Sequence, residues 1–180
     1  MHQSIMAHIA VLGLGNWGSA IARLWLLDGH KVKGWTIEQE VYESITMEGM
    51  NHKYLPDHSL DGLEATMHVE DALDGSEIIV LALPSSVILN VVEDIIQYLR
   101  PGHVLLDLAK GLAPGKRLIS EAIHQMLNDN NMHNPLAILT GPTIAPEAAG
   151  GVMTTALVAS EDMSVADKLA STLTTPTFIP

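Results

Sequence analysis

Ile9-Ala10-Val11-Leu12-Gly13-Leu14-Gly15-Asn16-Trp17-Gly18 is the stretch that decides the fold. A short apolar run leads into three glycines spaced G-x-G-x-x-G, and a segment with apolar residues at helical spacing follows. That is the order strand, glycine turn, helix. The first glycine permits the tight turn, the second lets a pyrophosphate approach the backbone, and the third lets the helix pack close to the sheet. The helix then offers free N–H groups and the positive end of its dipole to an anion. The stretch reads as a dinucleotide-binding turn. It lacks the G-K-[ST] ending of a P-loop.

Working outward, the spacing of Trp17, Ala20, Ile21, Leu24 and Leu27 predicts a helix over 17–28, stopped by Gly29. Lys31 to Trp35 alternates like a second strand, and 37–47 reads as a helix with Glu at its start. Residues 51–63 read as a loop, followed by a short strand at 65–67 and a helical turn at 71–73. Glu77 to Leu83 is continuously apolar after its first residue, as a central parallel strand is when both faces are covered. Ser85 or Ser86 is expected to cap a helix to Leu99, with Val87, Val91, Ile95 and Leu99 on its buried stripe. Strands follow at 103–108, 136–139, 155–159 and 177–179, and helices at 116–127 and 164–173. Alternating strands and helices imply an α/β fold, a doubly wound and mostly parallel Rossmann-like sheet. No internal boundary or repeat divides it, so 1–180 reads as one dinucleotide-binding domain.

The bulk properties narrow the partners. The 180 residues suffice to bury a sizeable core, and with a single Phe the aliphatic side chains and nine Met must fill most of it. A net charge of −12 argues against nucleic-acid or anionic-membrane binding. An anionic ligand must then be held by helix N-termini, backbone amides or a few well-placed cations. With no cysteine, disulfides, thiolate metal sites and Cys nucleophiles are excluded, which fits a reducing cytoplasm. Met1-His2-Gln3-Ser4 lacks the basic region of a signal peptide, and no apolar run is long enough to span a bilayer. The nine histidines show no metal-binding spacing and receive no role. No G-x-S-x-G elbow is present, which argues against a serine hydrolase.

In a doubly wound sheet ligands sit at the carboxyl ends of the strands. After the second strand an acidic residue normally meets the ribose of NAD; here Thr36 stands at that position and Glu38 follows two residues later. Glu38 also reads as an ordinary acid at a helix N-terminus. Pro84-Ser85 reads as a strand stop and cap, compatible with backbone contact to a ribose or nicotinamide. Lys110-Gly111 ends the strand at 103–108. Its ammonium is either a solvated surface charge or the local positive charge that a phosphorylated or carbonyl substrate needs. Gly141-Pro142-Thr143 reads as a rigid turn, with Glu147 close behind.

Taken together, these residues resemble the NAD(P)-dependent glycerol-3-phosphate dehydrogenases. The family's G-x-G-x-W-G-T-A is matched by Gly13 to Ala20, its N-x-x-Y/F-L-P by Asn51-His52-Lys53-Tyr54-Leu55-Pro56, its V-P-S by Leu83-Pro84-Ser85, and its Lys-Gly pair by Lys110-Gly111. Its S-G-P-[ST]-x-A-x-E is matched by Thr140 to Glu147. Five motifs in the family's order cover nearly the whole chain. The resemblance implies NAD or NADP as cofactor, with Gly13, Gly15, Asn16, Trp17, Gly18, Thr36, Pro84, Ser85, Ala145 and Glu147 on the cofactor side. Lys110 is implied as the catalytic lysine shared between cofactor and substrate, and Gly141 and Thr143 as substrate contacts. The implied substrate is a phosphorylated triose, dihydroxyacetone phosphate, reduced to sn-glycerol 3-phosphate. No metal is implied.

Two departures from the family matter. Thr36 stands where the family often has Arg or His. The family's proton-transferring lysine and phosphate-binding arginine lie in a C-terminal helical domain, which would begin about where this chain ends, at Pro180. Lys168 falls in a surface helix and does not replace that lysine. The expectation is a cofactor domain that binds dinucleotide and turns over poorly by itself. The alternatives are a non-catalytic NAD(P)-binding module, a half-enzyme needing a partner chain or a homodimer, and a dehydrogenase of another 2-oxo or 2-hydroxy substrate.

Overall fold

The apolar run after Glu77 lies in the middle of the molecule because both of its faces are covered. The computed structural model describes residues 6–180, so the reading of Met1–Ser4 lies outside the described residues. Seven strands form the main sheet: β1 (His8–Leu12), β2 (Lys31–Trp35), β3 (Glu64–Thr66), β4 (Ile78–Leu81), β5 (Val104–Asp107), β6 (Leu136–Thr140) and β7 (Leu157–Ser160). Their order is β7-β6-β5-β4-β1-β2-β3. All neighbours are parallel except β7, which runs antiparallel to β6. Strand order reverses between β1 and β4, and this is the switch point at which doubly wound sheets open a crevice.

The helices are α1 (Asn16–Leu27), α2 (Gln39–Glu48), α3 (Val69–Leu73), α4 (Ile88–Ile95), α5 (Ile119–Asp129), α6 (Ala145–Ala149) and α7 (Met163–Leu173). They build one apolar layer on each face. Ile9 and Val11 of β1, with Ile78 and Val80 of β4, face Ile21, Leu24 and Trp25 of α1 and Leu169 and Leu173 of α7. Ala10, Leu12, Ile79 and Leu81 point the other way, to Ile88, Val92 and Ile95 of α4 and Ile119 and Ile123 of α5. Successive strand residues alternate faces, so a strand covered on both sides is apolar throughout. A fully buried Leu or Ile contributes about 1.5–3 kcal/mol. That is how α3, too short to be helical alone, is held by Ala72 and Leu73.

Four local expectations are corrected. Residues 51–63 are not a plain loop: Met50–Asn51 pairs antiparallel with Leu55–Ser59. Neither Ser85 nor Ser86 caps α4. The Pro84 carbonyl accepts from the amides of Val87 and Ile88, the helix starts at Ile88, and its buried stripe is Ile88, Val92, Ile95 and Leu99, with Val87 40% exposed. α5 starts three residues later than expected. Leu112–Ala113 and Arg117–Leu118 pair as a hairpin, turned by Gly115 and Lys116 at positive φ, and the Glu121 carboxylate accepts the Leu118 amide. The strand expected at 155–159 is split. Thr154–Thr155 pairs in parallel with Phe178–Ile179, and only the rest joins the main sheet as β7.

Two histidines are structural. The Ala7 amide donates to His30 Nδ1 at 3.1 Å, and the Arg100 amide to His103 Nδ1 at 3.1 Å. Burial lowers the pKa of both imidazoles below the ordinary histidine range. Among the described residues no group of His, Asp or Glu is arranged to hold a metal ion, and no helix is long and apolar enough to cross a membrane.

Candidate functional site

The three glycines after β1 differ in what surrounds them. Gly13 has φ +102°, its amide donates to the Trp35 carbonyl at 3.0 Å, and a Cβ there would stand 2.4 Å from the Ala82 carbonyl oxygen. On Gly18 a Cβ would meet the Gly13 carbonyl oxygen at 1.8 Å. Gly15 has an ordinary extended backbone, and nothing lies within 4 Å of where its Cβ would be. Two glycines are therefore demanded by the protein's own packing, and the middle one is not. The space over Gly15 is where the G-x-G-x-x-G turn admits a pyrophosphate. α1 begins directly beyond it, with no side-chain cap and no acidic residue in its first turn. Its first amides thus face that space without an internal acceptor.

The segment 51–54 holds this turn from behind, a role that sequence reasoning did not assign. Asn51 is fully buried. Its Nδ2 donates to the Leu14 carbonyl at 2.8 Å and to Ser19 Oγ at 2.9 Å, and its Oδ1 accepts the Tyr54 amide at 3.1 Å. Ser19 Oγ also donates to the Leu14 carbonyl. The same segment reaches the end of β2. Tyr54 Oη donates to Glu38 Oε1 at 2.8 Å, and Lys53 Nζ pairs with Glu38 Oε2. Lys53, then Tyr54, hold the Glu38 carboxyl below the usual carboxylate range. Thr36 is buried, and its hydroxyl accepts the Glu38 amide at 3.1 Å. Spacing alone could not have shown this, because the partners are up to 37 residues apart.

The loops after β4 and β5 touch. Gly111 has φ +126°, and a Cβ there would stand 3.3 Å from Ser85 Cβ and Oγ. Lys110-Gly111 and Pro84-Ser85 are thereby brought together, with Ser85 half-buried and Pro84 and Lys110 exposed. Asp107, the last residue of β5, is only 2% exposed. Its Oδ1 accepts the Ala109 amide at 2.8 Å and so shapes the turn that carries Lys110. Burial pushes its carboxyl up to about 6, against the lowering effect of that hydrogen bond.

After β6 the chain turns tightly. The Thr143 amide donates to the Gly141 carbonyl at 2.9 Å, and a Cβ on Gly141 would stand 3.0 Å from the Thr155 carbonyl oxygen. α6 follows, with Ala145 half-buried and Glu147 exposed. It packs against α1, where Arg23 Nε donates to the Ala149 carbonyl at 3.2 Å. Asn16 is exposed at the head of α1. Trp17 is partly spent on packing, edge-on to Phe178 with ring centroids 6.4 Å apart. The loops after β1, β2, β4, β5 and β6 thus all end at one edge of the sheet. A cavity of about 650 Å³ between α5, β6 and β7 lies apart from them and contains none of these residues.

Comparison with known proteins finds the same fold. A family model described as NAD-dependent glycerol-3-phosphate dehydrogenase N-terminus matches residues 8–166. Glycerol-3-phosphate dehydrogenase [NAD(P)+] from Halothermothrix orenii is 34% identical over 172 residues, which cover 94% of this chain and 49% of the relative. The protein of that name from Acidobacterium capsulatum is 36% identical over 170 residues, covering 91% and 50%. The crystal structure of glycerol-3-phosphate dehydrogenase from Coxiella burnetii superposes with a TM-score of 0.87 at 28% identity, covering 97% of this chain and 53% of that one. The chain spans about half the length of the curated relatives it matches.

Proposed function

Since the chain belongs to the family of NAD-dependent glycerol-3-phosphate dehydrogenase N-termini, we propose that it holds NAD(H) or NADP(H) across the glycine turn and supplies the cofactor half of dihydroxyacetone phosphate reduction. The open space over Gly15, between two glycines closed by packing, is the observation that carries this reading. The amides at the head of α1 hold the pyrophosphate there. Pro84 and Ser85 line the way to Lys110, and Ala145 and Glu147 meet the cofactor from the α1 side. Bound nicotinamide cofactor supplies the hydride. The Lys110 ammonium polarises the substrate carbonyl or holds its phosphate, with Gly141 and Thr143 as further substrate contacts. Carbonyl reduction also needs a proton donor within hydrogen-bond reach, and Lys168 lies exposed on α7, where it does not serve.

The expected result is binding without substantial turnover. In calorimetric titration the chain takes up one dinucleotide, and dihydroxyacetone phosphate tightens that binding through Lys110. Absence of heat with both NADH and NADPH sinks the reading. Robust reduction by this chain alone sinks the claim that it is half of the machinery.

The exposed apolar rim beside Thr143 favours a second reading, in which the crevice closes against further polypeptide, from a partner chain or a second copy. Ile144 and Val152 are exposed, and Met153 is 60% exposed. Light scattering over a range of concentrations checks the version with a second copy; a strict monomer throughout rules that version out.

A further inference from the structure

Asp107 is buried at the carboxyl edge of the sheet, and the proposed reduction gives it no task. By register it lies between Leu81 of β4 and Ile138 of β6, and strand alternation puts its side chain on the face of Leu105, towards α4 and α5. Oδ1 accepts the Ala109 amide at 2.8 Å, while Oδ2 has no hydrogen-bond partner among the described residues. A neutral acid fits such a place; a carboxylate there lacks the donors that burial demands. The charged and titratable residues of the neighbouring elements are all exposed: Glu93 and Asp94 on α4, Glu121, His124 and Asp129 on α5, and Lys116 and Arg117 on the hairpin before it. None of them contributes to its titration. Burial and the Ala109 bond alone set it at about 6, so both forms of the carboxyl are present near neutral pH.

Lys110 follows three residues later, with at most about 11 Å of chain between the two Cα atoms. With Asp107 protonated, this turn carries one positive charge; with Asp107 ionised, it carries none. A charge held out of water is poorly screened and acts over such a distance. We propose that Asp107 is a positioning residue for the Lys110 turn, and that an anion binding at this turn brings a proton onto the Asp107 carboxyl. The proton comes from solvent and settles on Oδ2, and no other bond changes. Oδ1 keeps the Ala109 amide in both forms, so the turn holds its shape. The neutral acid leaves the Lys110 ammonium free to attract the anion, whereas the carboxylate cancels that charge from behind. Affinity is therefore full below about pH 6, where the proton is already in place. It falls as pH rises through about 6, because binding must then draw the proton from solution.

This inference rests on the proposed function, and its test separates the two. The probe is the sulfate ester of dihydroxyacetone, whose charge stays constant over the pH range used. It is titrated calorimetrically into the NADH-loaded full chain, Asp107→Asn and Asp107→Ala, from about pH 5.5 to about pH 8, in buffers of different ionisation heat. The parent should lose about three- to tenfold in affinity over this range and take up part of a proton near pH 6.5. Asp107→Asn should lose both the affinity change and that proton uptake, binding throughout as the parent does at the acid end. Asp107→Ala also lacks the acceptor for the Ala109 amide and should bind severalfold more weakly than Asp107→Asn at every pH. An Asp107→Asn variant with the pH dependence and proton uptake of the parent overturns the coupling. Equal affinities of the Asn and Ala variants overturn the positioning role. If NADH binds and the ester does not bind the parent at any pH, this inference fails and the dinucleotide reading stands. If NADH itself does not bind, that reading fails and takes this inference with it.

Discussion

Gly15→Ala is expected to melt where the parent chain melts and to lose about two orders of magnitude in dinucleotide affinity. A methyl on Gly15 has nothing within 4 Å and needs no change of backbone, so the free protein accommodates it. The same methyl occupies the space proposed for the pyrophosphate and pushes it off the amides of α1. Charge-assisted hydrogen bonds contribute about 1.5–3 kcal/mol each, and ~3 kcal/mol corresponds to roughly a hundredfold in affinity. Gly18→Ala makes the opposite pattern. Its methyl falls 1.8 Å from a carbonyl oxygen that cannot move without dismantling the turn. A loss of about 3 kcal/mol, or roughly 10 °C in melting temperature, is expected together with the loss of binding. Thermal melts and titrations of both variants check the contrast. Equal affinity of Gly15→Ala and the parent would show that the turn is only a packing device.

Asp107→Asn should stabilise the chain, and only above the acid range. Burial pushes the carboxyl up to about 6 in the folded protein, above the ordinary aspartate value of 3.8. The native state therefore holds its proton more tightly, and stability is lost as pH rises from about 4 through about 6. Above that window the buried carboxylate costs up to about 3 kcal/mol. An amide at this position keeps an oxygen for the Ala109 amide and carries no charge. The variant should match the parent near pH 4 and exceed it by up to about 3 kcal/mol at pH 8. The lowered pKa values of His30 and His103 tilt stability the other way near pH 6, so the difference between variant and parent is the quantity to measure. Denaturant unfolding at several pH values supplies it; a difference that does not change with pH refutes the assignment. A residue that costs stability while shaping the Lys110 turn is a local conflict of the kind concentrated at functional sites.

Much of this fold could be read from the chain because its signals are local. Lys31–Trp35 forms the strand its alternation predicts, and the glycine turn sits between strand and helix as its spacing requires. The order of elements implied the parallel sheet, though not that β7 runs backwards. What escaped depended on partners far away in sequence. Asn51 looked like the start of a polar loop because nothing nearby reveals that its carboxamide reaches Leu14 and Ser19. Ser85 looked like a cap because Ser before an apolar run usually is one; here the Pro84 carbonyl turns the chain instead. The stripe expected for α4 holds at Ile95 and Leu99, but Ile88 and Val92 are buried in place of Val87 and Val91, because neighbouring registers of so apolar a segment have similar periodicity. By sequence Glu38 is indistinguishable from an ordinary helix-start acid, because its partners Lys53 and Tyr54 lie 15 and 16 residues away.

The contact of Trp17 with Phe178 has a consequence for the order in which this molecule is made. Trp17 lies in α1, and Phe178 in a strand far later in the chain. Trp25, one face of the same helix further on, donates its indole N–H to the Leu173 carbonyl. A nascent chain therefore exposes both indoles until residues 173–178 have been made, and contacts so distant in sequence are slow to close. The glycine turn is translated well before the strand that secures its helix. During that interval the unfinished domain presents an apolar helix without its cover, which is the time of greatest risk of misassembly for this chain.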